Sequence, residues 1–445
     1  MGNYRPLEVE PMSCWNLTLT VLVLSLGTTN YLSSPVRGEP IFNGFHEMAE
    51  YAVTASSRSA GTTKQIGAQL TPDNKDPYTR AWKSFSKYAC FDCEAHRQWW
   101  NDSGALIARF LNITNADIHE QYQYLLFVRE VIIPALGPYP PIRRCCMNVT
   151  EVGMELSLNF QGPEKPVFRV SVDPVSKITG THLDPLNIDT VNGMVARLAA
   201  IGFKGFDRTL HYHFTREFCM PEQSMKTYQQ DSGEVKAWSQ TILGFDFKDG
   251  NMVVKQYIWT RHASRASGLH PHALIRRAIS RVDDQMRCSA AVNIVLEYME
   301  TFNADMPVRF FSWDLVDPSK SRLKLYGIAH QWSWAKMREV CTLGGTRCGP
   351  VTDRNISLLR RLWDILELDG MTPSMPFTWH YEIHPGQICP DVRTYFAICD
   401  RSDEEVAQAV SQWFELLGWH ETASSYLDTL RYLQQVVLCY HSSGE

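Results

Sequence analysis

Three times in this chain a basic residue is followed two positions later by tyrosine: Lys255-Gln-Tyr257, Lys324-Leu-Tyr326 and Arg393-Thr-Tyr395. The spacing is constant, since 324 − 255 and 393 − 324 both give 69 residues. A fixed period of this length means that one supersecondary unit recurs and packs on its neighbours. Hydropathy patterning identifies the unit. Each motif sits in a stretch that alternates polar and apolar residues: "MVVKQYIW" (252–259), "SRLKLYGI" (321–328) and "DVRTYFAI" (391–398). Each is preceded by another alternating stretch, "SQTILGFDF" (239–247), "VRFFSWDLV" (308–316) and "FTWHYEI" (377–383). The turn "KDGN" joins the first pair as a hairpin. An earlier pair, "GMELSLNF" (153–160) and "PVFRVSV" (166–172), follows the same rule.

Helical apolar spacing fills the intervals. It covers 80–112, 118–133 (ended by Pro134), 189–202, 207–218, a region near 272–301, and then 353–368, 403–417 and 422–433. "VVLCY" (436–440) reads as one further strand. The unit is therefore two helices followed by two strands, and the expected class is α+β. Hairpins repeated in this way predict an antiparallel barrel of about ten strands ringed by helices, with room inside for a ligand because about eight strands already fill their own interior. The chain ends soon after "VVLCY", so the last hairpin reads as incomplete.

Closure reverses the usual polarity of a sheet. The outer face must meet the helices and be apolar, so polar side chains turn inward. In "SRLKLY" the leucines then pack outward, while Arg322, Lys324 and Tyr326 face the interior. The same alternation turns Glu155 and Arg169 inward. For any one of these bases, simple solvation is the plain reading; for Glu155 it is a structural ion pair or a place at the strand's wet end. Three bases at one period, each with its tyrosine, point further. Cations enclosed without partners lose hydration at a cost of several kcal/mol each, so an anion must compensate. Diphosphate suits Lys, Arg and Tyr donors. Tyrosine faces also stabilise a carbocation and exclude water, which suggests ionisation of an allylic diphosphate. "TLGGTRCG" lacks the Lys-Ser/Thr ending of a phosphate loop, and "VDDQMR" lacks the third acid of a magnesium-binding carboxylate motif.

Composition bounds the rest. A net charge of −5 over 445 residues gives no basic field for nucleic acid or an anionic membrane. The 12 cysteines are scattered, as expected of free thiols, and "CFDCEAH" (Cys90, Cys93, His96) is only half of a zinc spacing. Cys145 and Cys146 read as core. Residues 12–27 are apolar but too short to span a bilayer and lack a basic segment before them. Five Asn-x-Ser/Thr sequons (Asn16, Asn101, Asn112, Asn148, Asn355) leave a secreted glycoprotein as a rival. The favoured expectation is a cytoplasmic protein, monomer or homodimer, with residues 1–76 as an extension and linker and 77–445 as one barrel domain.

The segments "YLLFVREVIIPALGPYP" (124–140), "GMELSLNF", "VKQYIW", "DPSKSRLKLY" and "HYEIHPGQICPDVRTYF", in this order, resemble those of the fungal dimethylallyltryptophan synthase family of aromatic prenyltransferases over about 78–440. The resemblance implies a ten-stranded barrel of ααββ units. It also implies metal-independent transfer of a prenyl group from dimethylallyl diphosphate to an electron-rich aromatic, most often an indole, with no other cofactor. By position, Glu155 matches the family's indole N–H acceptor. Arg169, Lys255, Tyr257, Arg322, Lys324, Tyr326, Arg393 and Tyr395 match its diphosphate-binding and cation-shielding set, and Tyr440 matches a late tyrosine of that shield. "TRHASRASG" stands where the family has Pro after "VKQYIW", which implies a reshaped turn. No lysine matches the final base of tryptophan-C4 enzymes. The acceptor stays open among tryptophan, a cyclic dipeptide, an indole diterpene and a non-indole phenol. A non-catalytic barrel that binds an anionic or isoprenoid ligand is the rival from another class.

Overall fold

The computed structural model describes residues 78–141, 153–219, 239–302, 307–330, 333–370, 376–396, 398 and 401–442, with side chains of the last helix as far as Gln435. The expectations for residues 1–76, Cys145, Cys146, Asn16 and Asn148 lie outside the described residues.

Helices α1 (Arg80–Ser86), α2 (Glu94–Ile113) and α3 (Ile118–Phe127) come first. The spacing over 80–112 therefore belongs to two helices. Thr79 caps the first by accepting from Trp82, and Trp82 and Trp100 then stack at 4.8 Å across the break. Asp117 and Glu120 form a reciprocal capping box at the start of α3. A π-turn at Val128–Ile132 and a short 3₁₀ turn at Ile133–Ala135 end this region.

Four hairpins follow, separated by helices. They are β1 (Met154–Asn159) with β2 (Val167–Val172), β3 (Thr241–Lys248) with β4 (Asn251–Trp259), β5 (Phe310–Asp314) with β6 (Leu323–Ala329), and β7 (Phe377–Ile383) with β8 (Asp391–Tyr395). Between them lie α4 (Ile188–Ile201) and α5 (Thr209–Phe218), then α6 (Thr260–Ser267), α7 (Pro271–Ser280), α8 (Asp283–Met286) and α9 (Ser289–Phe302), then α10 (Trp334–Thr342) and α11 (Pro350–Ile365). The reshaped segment after "VKQYIW" is thus helix α6, ended by Gly268 at φ 67°. The β3–β4 turn uses Asp249 and Gly250 at φ 50° and 68°, the two positive values that a two-residue hairpin turn with the right twist requires.

The strands form one antiparallel sheet in the order β1 to β8. This corrects the expected number: among the described residues the sheet has eight strands, not ten. The segment "VVLCY" is not a strand either. After α12 (Asp403–Leu416), its backbone continues helix α13 (His420–Ser442), which packs on α12 and α2. No Gly or Pro interrupts residues 420–442, so nothing in the sequence stops the helix, and two adjacent valines are weak opponents. Tyr440 lies on this helix; its side chain is outside the described set.

The inverted polarity holds. Leu156, Leu158, Phe168, Val170, Phe245, Phe311, Trp313, Leu323, Leu325, Trp379 and Tyr381 point to the helices and join one large core. Burial of this outer face is the main favourable term holding sheet and helices together. Cys90 and Cys93 are exposed free thiols. Asn355 is buried, and Asn101 and Asn112 sit within α2, which disfavours these sequons as glycan sites. Among the described residues no helix is long and apolar enough to cross a membrane.

Candidate active site

Strand parity and register decide which side chains share the inner face. Pairing sets Ser157 opposite Arg169, Arg169 opposite Asp246, and Gly244 opposite Lys255. It continues with Lys255 opposite Asp314, Ser312 opposite Lys324, Lys324 opposite Glu382, and His380 opposite Arg393. The three repeated motifs thus fall on β4, β6 and β8, the second strand of each hairpin, with their bases and tyrosines on one face. Arg322 lies one residue before β6 on the same parity. The sheet is curled. In a flat sheet β2 and β8 stand about 29 Å apart, yet Arg169 on β2 is close enough to act electrostatically on Tyr395 of β8.

Cations and acids interleave here. Asp246 accepts from Lys255 Nζ at 2.5 Å and lies 3.2 Å from Arg169. Asp314 accepts from Arg322 at 2.6 and 3.2 Å. Glu382 accepts from Arg393 at 3.1 Å and lies 3.5 Å from Lys324 and 3.6 Å from Arg322. The expectation of enclosed cations without protein partners is therefore corrected: Asp246, Asp314 and Glu382 pair with all five basic groups. Sequence reasoning missed Asp246, Asp314 and Glu382, although each stands at inward parity between aromatic or aliphatic neighbours in "GFDF", "SWDL" and "HYEI".

Burial and neighbouring charges compete in the titration of these groups. Burial alone would raise Asp246, but Arg169 and Lys255 outweigh it and hold the acid far below the usual carboxylate range. Burial is outweighed at Glu382 too, chiefly by Lys324, and that acid is also strongly lowered. Burial and then Arg169 drive Lys255 well below its ordinary value against Asp246. Lys324 is pushed down to about 8 by burial, with Glu382 opposing. Glu155, in contrast, has no charge to offset burial and is pushed up to about 7.

Beside the charged groups lies an apolar patch. Ile242, Trp259, Phe310 and Tyr326 form a cluster distinct from the main core, with Tyr257 and Tyr395 against it. Ring centroids are 6.3 Å apart for Tyr257 and Tyr326 and 6.4 Å for Tyr326 and Tyr395. His380 stands 4.8 Å from Tyr326 and shares a 2.6 Å hydrogen bond with the Tyr395 hydroxyl. Burial pushes this imidazole down to about 3, so it is neutral at physiological pH. Gly244 makes room for the tyrosine row: a Cβ there would come within 3.1 Å of the Tyr257 ring. Among the described residues no group of three or more His, Cys, Asp or Glu is arranged to hold a metal ion.

A basic array that shares one face with an aromatic patch is the layout expected for an allylic diphosphate. The family model described as tryptophan dimethylallyltransferase matches residues 95–429. The chain belongs to this family. It is 76% identical over 387 residues to prenyltransferase penG of Penicillium thymicola, covering 87% of this chain and 89% of that protein. It is 70% identical to prenyltransferase asqH2 of Emericella nidulans, covering 87% and 90%. The crystal structure of NotF in complex with brevianamide F and DMSPP superposes with a TM-score of 0.72 at 31% identity, over 80% of this chain and 89% of that one. The chain is thus a prenyltransferase, and its fold is that of this family. Of the residues expected at the site, the structure brings together Arg169, Lys255, Tyr257, Arg322, Lys324, Tyr326, Arg393 and Tyr395. Glu155 lies on the same face toward β1, opposite Ser171.

Proposed function

We propose that the inner face binds dimethylallyl diphosphate and transfers its prenyl group to an indole-containing acceptor. The observation that carries this reading is the convergence of Arg169, Lys255, Arg322, Lys324 and Arg393 beside three tyrosines. These side chains supply the positive charge that magnesium supplies in other diphosphate sites. Charge-assisted donors stabilise the diphosphate as the C–O bond ionises. The faces of Tyr257, Tyr326 and Tyr395 flank the allyl cation and keep water from it. The acceptor, with its N–H on Glu155, attacks through carbon or nitrogen and then loses a proton.

The family description names tryptophan, an indole, and the NotF complex holds an acceptor and a diphosphate analogue together. Both support an indole acceptor over a phenol. The catalytic unit in this reading is residues 77–445, acting in the cytoplasm as a monomer or homodimer. The test is incubation with dimethylallyl diphosphate and a panel of indoles and phenols, with EDTA present, read by mass. A gain of one prenyl unit on an indole supports the reading. Gain on phenols alone rejects the acceptor class, and binding without turnover leaves only a ligand-binding barrel.

A further inference from the structure

The array of bases explains how a diphosphate is held, but it raises a second problem. Five enclosed basic groups without acids would hold the pyrophosphate product as firmly as the substrate, and turnover needs that product to leave. The acids on the same face are placed to act on this. Glu382 is the most central of them, only 2% exposed, and contacts Lys324, Arg322, Arg393, His384 at 3.3 Å and His380 at 3.8 Å, with Asp391 opposite it in register. Among the described residues no other acid of the inner face touches three of the five bases. A buried carboxylate in such a setting stays ionised and does two things. It keeps three flexible cations extended along the face, and it opposes any anion placed on them.

We infer that Glu382 is a positioning residue that sets how tightly the diphosphate is held, with its carboxylate spacing Lys324, Arg322 and Arg393 and repelling the pyrophosphate product so that it leaves. Asp314 does the same for Arg322 alone, from 6% exposure, and on a smaller scale. This inference rests on the diphosphate reading above. The two alternatives for Glu382 differ in sign. If its role is only to hold the cations in place, neutralising it loosens the array and weakens anion binding. If it also limits retention, neutralising it strengthens anion binding and slows release.

The experiment compares the full-length chain with its Glu382→Gln variant, using inorganic pyrophosphate as the probe in calorimetry and as a product inhibitor in steady-state assays. The expected result is a pyrophosphate Kd and inhibition constant lowered at least tenfold. The KM for dimethylallyl diphosphate falls, and kcat falls with it because release has become slow. The Glu382→Asp variant, which restores the charge, returns pyrophosphate affinity toward that of the parent chain. Should Glu382→Gln fail to fold, Asp314→Asn decides the matter by the same readings, with an expected change of about threefold. Unchanged or weaker pyrophosphate binding in the folded variant overturns the inference. Failure of the parent chain itself to bind pyrophosphate rejects the underlying diphosphate reading instead, so the two failures are told apart.

Discussion

Replacing Glu155 by glutamine separates two consequences of burying a carboxyl on the inner face. Burial moves this acid from 4.5 up to about 7. Between those values the folded chain binds a proton that the unfolded chain has released. Linkage fixes the sign: the contribution of Glu155 to stability falls as pH rises from about 4.5 to about 7 and stays low above that. A shift of this size corresponds to ~3 kcal/mol, and the partial exposure of the side chain reduces it to ~2 kcal/mol. Glutamine cannot ionise, so Glu155→Gln is expected to melt a few degrees higher than the parent at pH 8, at about 2 °C per kcal/mol for a chain of this size. At pH 4.5 the two melt together. Activity moves the other way. The carboxylate accepts the indole N–H through a charge-assisted bond worth roughly 1.5–3 kcal/mol, so kcat/KM for an indole drops roughly 10- to 100-fold in the variant. In the parent, kcat/KM rises with pH through about 7; in the variant that limb disappears. Differential scanning calorimetry at the two pH values and a pH–rate profile measure both. Identical melting at pH 8 refutes the burial argument, and an equally active variant refutes the N–H role.

Other outcomes follow from the same geometry. Arg322→Ala and Lys324→Ala should each reduce turnover at least tenfold while circular dichroism stays unchanged, because each removes a charged donor to the leaving group. Since Lys324 sits at about 8, the KM for dimethylallyl diphosphate should climb above pH 8 as that charge is lost, with the acceptor KM little affected. Tyr326→Ala should open the apolar patch to water and raise the share of dimethylallyl alcohol among the products, measured by gas chromatography. Trp313→Ala, on the buried outer face, should cost about 3–5 kcal/mol in denaturant unfolding.

Much of this site could be read from period and parity. The 69-residue interval identified the repeating hairpin, and period-two alternation decided that Lys324 and Tyr326 turn away from Leu323 and Leu325. Asp246, Asp314 and Glu382 obeyed the same parity, but parity alone does not say which acid meets which base. That depends on register: within a hairpin for Lys255 with Asp246, Arg322 with Asp314 and Arg393 with Glu382, and between hairpins, across long loops, for Arg169 with Asp246 and Lys324 with Glu382. The Tyr395–His380 contact lies within the β7–β8 hairpin, whose connection at 384–390 carries no two-residue turn signal that fixes its register. "VVLCY" was misread because two valines and a tyrosine favour a strand locally, while the uninterrupted helix before them carries on through. The break at 87–93 was missed because apolar spacing runs across it without a proline.

The most direct measurement of the central claim is a crystal structure of this chain with dimethylallyl S-thiolodiphosphate. Phosphate oxygens are expected within about 3 Å of Lys255, Lys324 and the guanidinium groups of Arg169, Arg322 and Arg393, with the dimethylallyl carbons against Tyr257, Tyr326 and Tyr395. A diphosphate bound away from this face, with those bases still paired only to Asp246, Asp314 and Glu382, contradicts it.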